Sequence, residues 1–201
     1  MVSEYRAKQW EDRANGHPEY ISDTDLEGIL AAHALDTPKN KDILIIGVGW
    51  GKAIKELVAH NNRVYAVDVS ERLLKAATEM GAKQVFQSSD ISKAPPVDLA
   101  IAHLVLQHNT EDEIFRLINE VNLKPNGFAS YQYSSLSRGC VLTNEMIKIL
   151  NDGEQYFCSK DRMARIAHGT NKRIIKDDLH TKFRNEVYSF DWRFVRFRNK
   201  G

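Results

Sequence analysis

Short apolar runs recur through the middle of the chain, separated by stretches whose apolar residues fall at helical spacings. The runs at 42–46, 63–67, 97–102 and 127–133 have the length of buried strands, and Val85-Phe86 is a shorter one. The stretches at 51–60, 71–80 and 111–122 read as helices. Ser70 is placed to cap the second, Gly81 to stop it, and Asn109-Thr110 to cap the third. Pro95-Pro96 forces an extended approach to the strand at 97–102, and Lys124-Pro125-Asn126-Gly127 predicts a turn. Strands alternating with helices in this way predict a parallel sheet covered on both faces. Residues 1–40 are polar and helix-prone, broken at Gly16-His17-Pro18 and Pro38. Asp23 and Thr24 offer caps for a helix with Leu26, Ile29, Leu30 and Ala34 on one face. After Ser134 the rhythm changes. Helices are predicted at 140–151 and at 159–168, the latter ending at Gly169. The aromatic-rich stretch from Val187 to Phe197 predicts a strand, with 172–176 as its partner. The expected fold is α/β: a doubly wound, mainly parallel sheet with an antiparallel strand near the C-terminus. No linker or repeat interrupts it. A single domain over 1–201 is expected, with an extension at 1–40, a core at 41–135 and a C-terminal part at 136–201.

Composition narrows the picture only slightly. A 201-residue chain with 42% hydrophobic and 27% charged residues is ordinary for a globular domain, and a net charge of +1 gives no bulk field for nucleic acid or membrane. Cys140 and Cys158 make no disulfide framework. With no apolar start resembling a signal peptide and no run of about 20 apolar residues, a reduced, cytoplasmic setting is expected. His17, His33, His60 and His168 lack metal-ligand spacing, and no metal is expected.

The informative segment is Asp42-Ile-Leu-Ile-Ile-Gly-Val-Gly-Trp-Gly51. An apolar strand runs into glycines at alternate positions, and a second strand ends in Asp68. A tight turn beside a carboxylate able to hold ribose hydroxyls describes a nucleoside pocket. A dinucleotide fold wants a glycine at the position of Lys52, whereas here the third glycine, Gly51, comes one residue earlier. The Gly-x-Gly-x-Gly spacing resembles that of class I S-adenosylmethionine-dependent methyltransferases. Four further segments agree in order: Asp68-Val-Ser-Glu-Arg-Leu-Leu-Lys-Ala-Ala, Gln87-Ser-Ser-Asp90, Val97 to His108, and Leu123-Lys-Pro-Asn-Gly127. Together they cover roughly residues 40–135.

The resemblance implies S-adenosylmethionine as cofactor, S-adenosylhomocysteine as product, and cofactor contacts from Gly47, Gly49, Gly51, Asp68, Val69, Ser89, Asp90, Ile91 and Ala102. Trp50 is expected near the cofactor or its entrance. The resemblance also makes 1–40 a helical lid, with Tyr5, Trp10 and Arg13 at lid spacings, and 136–201 the substrate side. Two positions depart from the family. Ile45 stands where an acid usually helps hold the methionine ammonium, and Asn126 replaces a common glycine, which a left-handed turn tolerates.

Ligands of a doubly wound sheet sit beyond the C-terminal strand ends. This places the methyl acceptor near His103, Tyr131 and Tyr133. His103 is the candidate general base, since a hydroxyl acceptor must lose a proton. His108 is expected to serve the cofactor loop, and Asp98, at the other end of its strand, to be structural. His180 either reaches the acceptor or is exposed.

The expected activity is methyl transfer to an O or N atom of a small molecule, by in-line displacement. Residues 172–200 hold nine basic against four acidic residues. That excess keeps an RNA or protein methyltransferase open as an alternative, although a charged strand edge explains it as well. Ile45 keeps open a non-catalytic S-adenosylmethionine-binding protein.

Overall fold

The computed structural model describes residues 4–17, 21, 24–136, 157–184 and 189–201. The expected helix at 140–151 lies outside them. The elements in chain order are α1 (Glu4–Gly16), α2 (Leu26–His33), β1 (Asp42–Ile46), α3 (Lys52–Ala59), β2 (Arg63–Asp68), α4 (Glu71–Glu79) and β3 (Gln84–Gln87). They continue with β4 (Val97–Ala102), α5 (Glu111–Asn119), β5 (Leu123–Leu136), α6 (Lys160–His168), β6 (Lys172–Arg184) and β7 (Ser189–Asn199). Short 3-10 turns occupy Ser88–Lys93 and Leu106–His108.

Seven strands form one sheet in the order β3-β2-β1-β4-β5-β7-β6. The first five are parallel, and β7 runs antiparallel between β5 and β6. The chain therefore has the doubly wound architecture its periodicity implies. All five residues of β1 are buried, the pattern of a strand covered on both faces. Leu44, Ile46, Tyr65, Val67, Ala100 and Ala102 pack against α5 and α6. Their alternates Ile43, Ile45, Val64, Ala66, Leu99 and Ile101 pack against α1 to α4.

Caps fix where the helices start. Ser70 Oγ accepts the Leu73 N–H, and Thr110 and Glu113 form a reciprocal capping box at α5. Ser159 caps α6, whose end falls at Gly169. The cap of α2 differs from the sequence reading. Asp25, not Thr24, accepts the Gly28 N–H, because Thr24 lies one residue too far upstream. Ala34 lies beyond the helix in left-handed backbone and is exposed. The predicted turn at 124–127 is absorbed into β5. It becomes an irregularity there, with Val97 facing Leu123 and Leu99 facing Phe128. His180 lies in β6, where the pairing with β7 shifts between Leu179 and Thr181.

The N-terminal strand ends are tied by charge. Lys124 Nζ stands 2.7 Å from both Asp42 and Asp98, Arg63 pairs with Asp42, and the Asp42 N–H donates to Asp98. Burial pushes the Asp42 carboxyl up, but the hydrogen bonds from Arg63 and Lys124 outweigh it and hold the group below the usual range. Asp98 is held down in the same way by Lys124 and the Asp42 N–H. This end of the sheet is opposite the glycine turn.

Candidate active site

At the C-terminal ends of β1, β2 and β4 the structure encloses a cavity of about 220 Å³. One wall is the glycine turn. Gly47 has φ +73°, and a Cβ there would fall 2.3 Å from Val105 Cγ2, so only glycine serves. The turn is held from β2. Asp68 Oδ2 accepts the Val48 N–H at 2.9 Å, and Oδ1 accepts those of Val69 and Ser70 at 2.8 and 3.0 Å. Burial pushes the Asp68 carboxyl up, and these three donors pull against that. Oδ1 already accepts two donors, whereas Oδ2 accepts one and keeps lone-pair capacity for a ribose hydroxyl.

Gly47, Gly49, Asp68, Val69 and His103 all line this cavity. Of the other residues expected at the site, Gly51 caps α3 and packs on Met80. Ser88 lines the cavity where Ser89 and Asp90 were expected. Asp90 pairs with Lys93, and Ile91 and Ala102 are core residues with no exposure. Ser88 is placed by Arg116, which donates to its carbonyl and its hydroxyl.

Tyr131 and Tyr133 share one face, as alternation requires, but it is the face packed on α5 and α6. The Tyr131 hydroxyl donates to the Leu117 carbonyl, and that of Tyr133 meets Asp177 and Arg193. Neither lines the cavity.

Several lining residues had no clear mark in the sequence. Ile21, Thr24 and Ile29 come from α2 and its approach, and Leu104, Val105, Gln107 and Asn109 from the loop after β4. Leu104 has a positive φ of 55°, and its N–H donates to Gln132 Oε1. Trp10 of α1 lines the cavity, meets the His108 ring edge-on at 5.0 Å, and carries the Arg13 guanidinium over its own ring. Ile45 also lines it, so an aliphatic side chain occupies the wall where the family's acid stands. Trp50 lies outside the lining, beneath the Arg72 guanidinium.

His103 is largely buried, and its ring centroid stands 5.5 Å from that of His33, at the end of α2. Burial, then the charge of His180, pushes the His103 imidazole down to about 4, so it is neutral at pH 7. Among the described residues no cluster of three or more His, Cys, Asp or Glu is placed to hold a metal ion.

The methyltransferase-domain family matches residues 43–127, from β1 through the start of β5. Solved structures of the same fold match nearly the whole chain. A 1,6-didemethyltoxoflavin N1-methyltransferase from Burkholderia thailandensis, with S-adenosylhomocysteine bound, is similar at 14% identity and a TM-score of 0.66, covering 98% of this chain and 88% of its own. A magnesium protoporphyrin IX methyltransferase from Synechocystis is similar at 14% and 0.62, covering 95% and 99%. A geranyl diphosphate C-methyltransferase from Streptomyces coelicolor is similar at 11% and 0.60, covering 86% and 74%. No curated protein sequence matches the chain. In fold the chain is like these class I methyltransferases, and the match to the methyltransferase-domain family lies over its central strands.

Proposed function

We propose that this chain methylates an O or N atom of a small-molecule acceptor, with His103 as general base. One observation carries the reading: a single cavity is lined at one side by Gly47, Gly49 and Asp68 and at another by His103. The residues fit the cofactor. Gly47 leaves a cradle that a Cβ would fill, and Asp68 Oδ2 offers a free lone pair. Gly47, Gly49, Asp68 and Val69 would hold it, with Ser88 at the adenine side. The bound cofactor supplies an electrophilic methyl group, whose carbon bonds to the acceptor atom as the bonding pair stays with sulfur.

The chain's own contribution is alignment and a place for the proton. His103, neutral at pH 7, takes it from a hydroxyl acceptor. The aliphatic wall at Ile45, with Ile101, Ile29 and Trp10, excludes water and favours an uncharged, apolar acceptor body. The structural neighbours act, by their descriptions, on nitrogen or carbon of small molecules. Residues 136–201 are assigned to acceptor choice.

Among the described basic residues of 172–200, several are engaged within the molecule, which weighs against RNA as acceptor. Arg193 pairs with Asp177 and Lys176 with Asp178, while Lys200 donates to the carbonyls of His168 and Thr170.

The test has two stages. Thermal stability is read with S-adenosylhomocysteine, S-adenosylmethionine and NADH in parallel, since a ligand that binds only the folded state raises it. A shift with the adenosyl ligands, lost in Asp68→Ala, is expected. Transfer of a labelled methyl group to a panel of phenols, amines and heteroaromatics then follows, with His103→Ala slower by about 100-fold or more on hydroxyl acceptors. Binding with no transfer to any member of the panel would favour a non-catalytic role. A shift with NADH alone would refute the reading.

A further inference from the structure

His33 is fully buried, does not line the cavity, and is the ring next to His103. Each ring has one buried nitrogen without a hydrogen-bond partner: Nε2 of His33 and Nδ1 of His103. Buried polar atoms are almost always paired, so two orphans on neighbouring rings require an account. The centroid separation of 5.5 Å is close to that of two imidazoles sharing one N–H···N bond.

His33 itself is fixed. Its Nδ1 lies 2.9 Å from Ser130 Oγ on β5. Its carbonyl, at the end of α2, accepts from Arg196 of β7 at 2.7 Å, and the Arg196 guanidinium sits over the rings of Phe128 and Phe194.

We infer that His33 is a positioning residue for His103: its Nε2 accepts a hydrogen bond from His103 Nδ1–H, which leaves His103 Nε2 bare towards the acceptor. The inference rests on the reading above only for what Nε2 of His103 does. Its chemistry follows from the inventory of a neutral imidazole, one donor and one acceptor. With Nδ1–H of His33 donating to Ser130 Oγ, Nε2 of His33 holds a lone pair. That lone pair selects the Nδ1–H form of His103, and the remaining nitrogen of His103 becomes the base. The opposite polarity, with Ser130 donating, would run through both rings and give the cavity an N–H donor unable to take a proton. Arg196 and His180 are the charged or titratable neighbours of the pair, and burial first, then these neighbours, keeps His33 neutral and therefore an acceptor. A single imidazole buried without a partner is a weak base. A hydrogen bond to its Nδ1–H supports the charge it gains on taking a proton.

The test reads the tautomers directly and needs no acceptor. The full chain, labelled with 15N-histidine, is examined at pH 7 by long-range 1H–15N correlation, with and without S-adenosylhomocysteine. The expected result is a protonated Nδ1 and bare Nε2 on both His33 and His103. His33→Phe keeps a ring but removes the acceptor, and His103 should revert towards the Nε2–H form that solvated histidine prefers. His33→Gln, whose Oε1 reaches near the Nε2 position, should retain the Nδ1–H form. His103 in the Nε2–H form in the unmodified protein overturns the proposal, even if neither variant folds. So does an unchanged tautomer in a folded His33→Phe. Failure of S-adenosylhomocysteine to bind would sink the methyltransferase reading separately, since the free protein still reports its tautomers.

Discussion

Asp68 is the residue on which most of the site depends. It accepts three backbone N–H groups of the turn and is itself buried. Asp68→Ala strands those donors, so we expect a loss of about 3 kcal/mol in urea unfolding, together with loss of the S-adenosylhomocysteine shift. Gly47→Ala should fail for two reasons, its positive φ and the 2.3 Å approach to Val105. The double variant Gly47→Ala/Val105→Ala should therefore recover only part of the stability, measured the same way.

The two histidines make a pH prediction. Burial first, then the charges of His103, Arg196 and His180, push His33 down to about 3, and His103 is held at about 4. Unfolded histidines take up protons near pH 6.5 while these stay neutral. Stability is therefore complete above pH 6.5 and falls as pH drops towards 4, by roughly 1.4 kcal/mol per pH unit for each ring. Chemical denaturation at pH 7, 6 and 5 checks this, and His33→Gln should halve the slope.

Asp68 and the glycines were legible in the sequence because their chemistry is local to one turn. His33 was not. A polar residue at the end of an amphipathic helix acquires its meaning only from the ring and the strand that meet it.

Among the elements, the central strands were the easiest to read. Runs such as Ile43 to Ile46 suit only a strand buried on both faces, and β1, β2 and β4 fall within a residue of their expected bounds. The faces of β5 were harder. Alternation shows that Tyr131 and Tyr133 point the same way, but which way depends on which helices cover the sheet. Both turned towards α5 and α6, and the cavity is left to Leu104 to Asn109 and to α1 and α2.

Two ends of the same strands can be separated experimentally. The Asp42, Asp98, Arg63 and Lys124 cluster ties the N-terminal ends, far from the glycine turn. Asp42→Asn should lower stability in urea unfolding, since it removes the buried carboxylate that Arg63 and Lys124 share. Its affinity for S-adenosylhomocysteine, measured by calorimetry on the folded fraction, should not change. Just before α6, Cys158 is buried and its thiol is pushed up to about 12 by that burial. It should resist a thiol reagent in the native protein and react only on unfolding.

For the molecule as a whole, the order β3-β2-β1-β4-β5-β7-β6 sets out a division of labour. The family match spans β1 to the start of β5, which includes the glycine turn and Asp68. The fold itself persists over nearly the whole chain, at 11–18% sequence identity to solved structures. This is why the glycine turn could be read from the sequence and the surroundings of the cavity could not. A sheet and a glycine turn obey rules shared by thousands of chains, whereas an acceptor pocket is built from side chains chosen once. No described helix is long and apolar enough to cross a membrane.

The contact between Arg196 and the end of α2 joins residues 163 positions apart. For a chain emerging from the ribosome this sets an order of events. The strands around the glycine turn have all been made well before β7 appears, and β7 must slot between β5 and β6 rather than add at an edge. Until that insertion is complete, the carbonyl at the end of α2 has no Arg196 to accept from. A chain cut short before β7 would therefore hold α2, and with it His33, less firmly against β5.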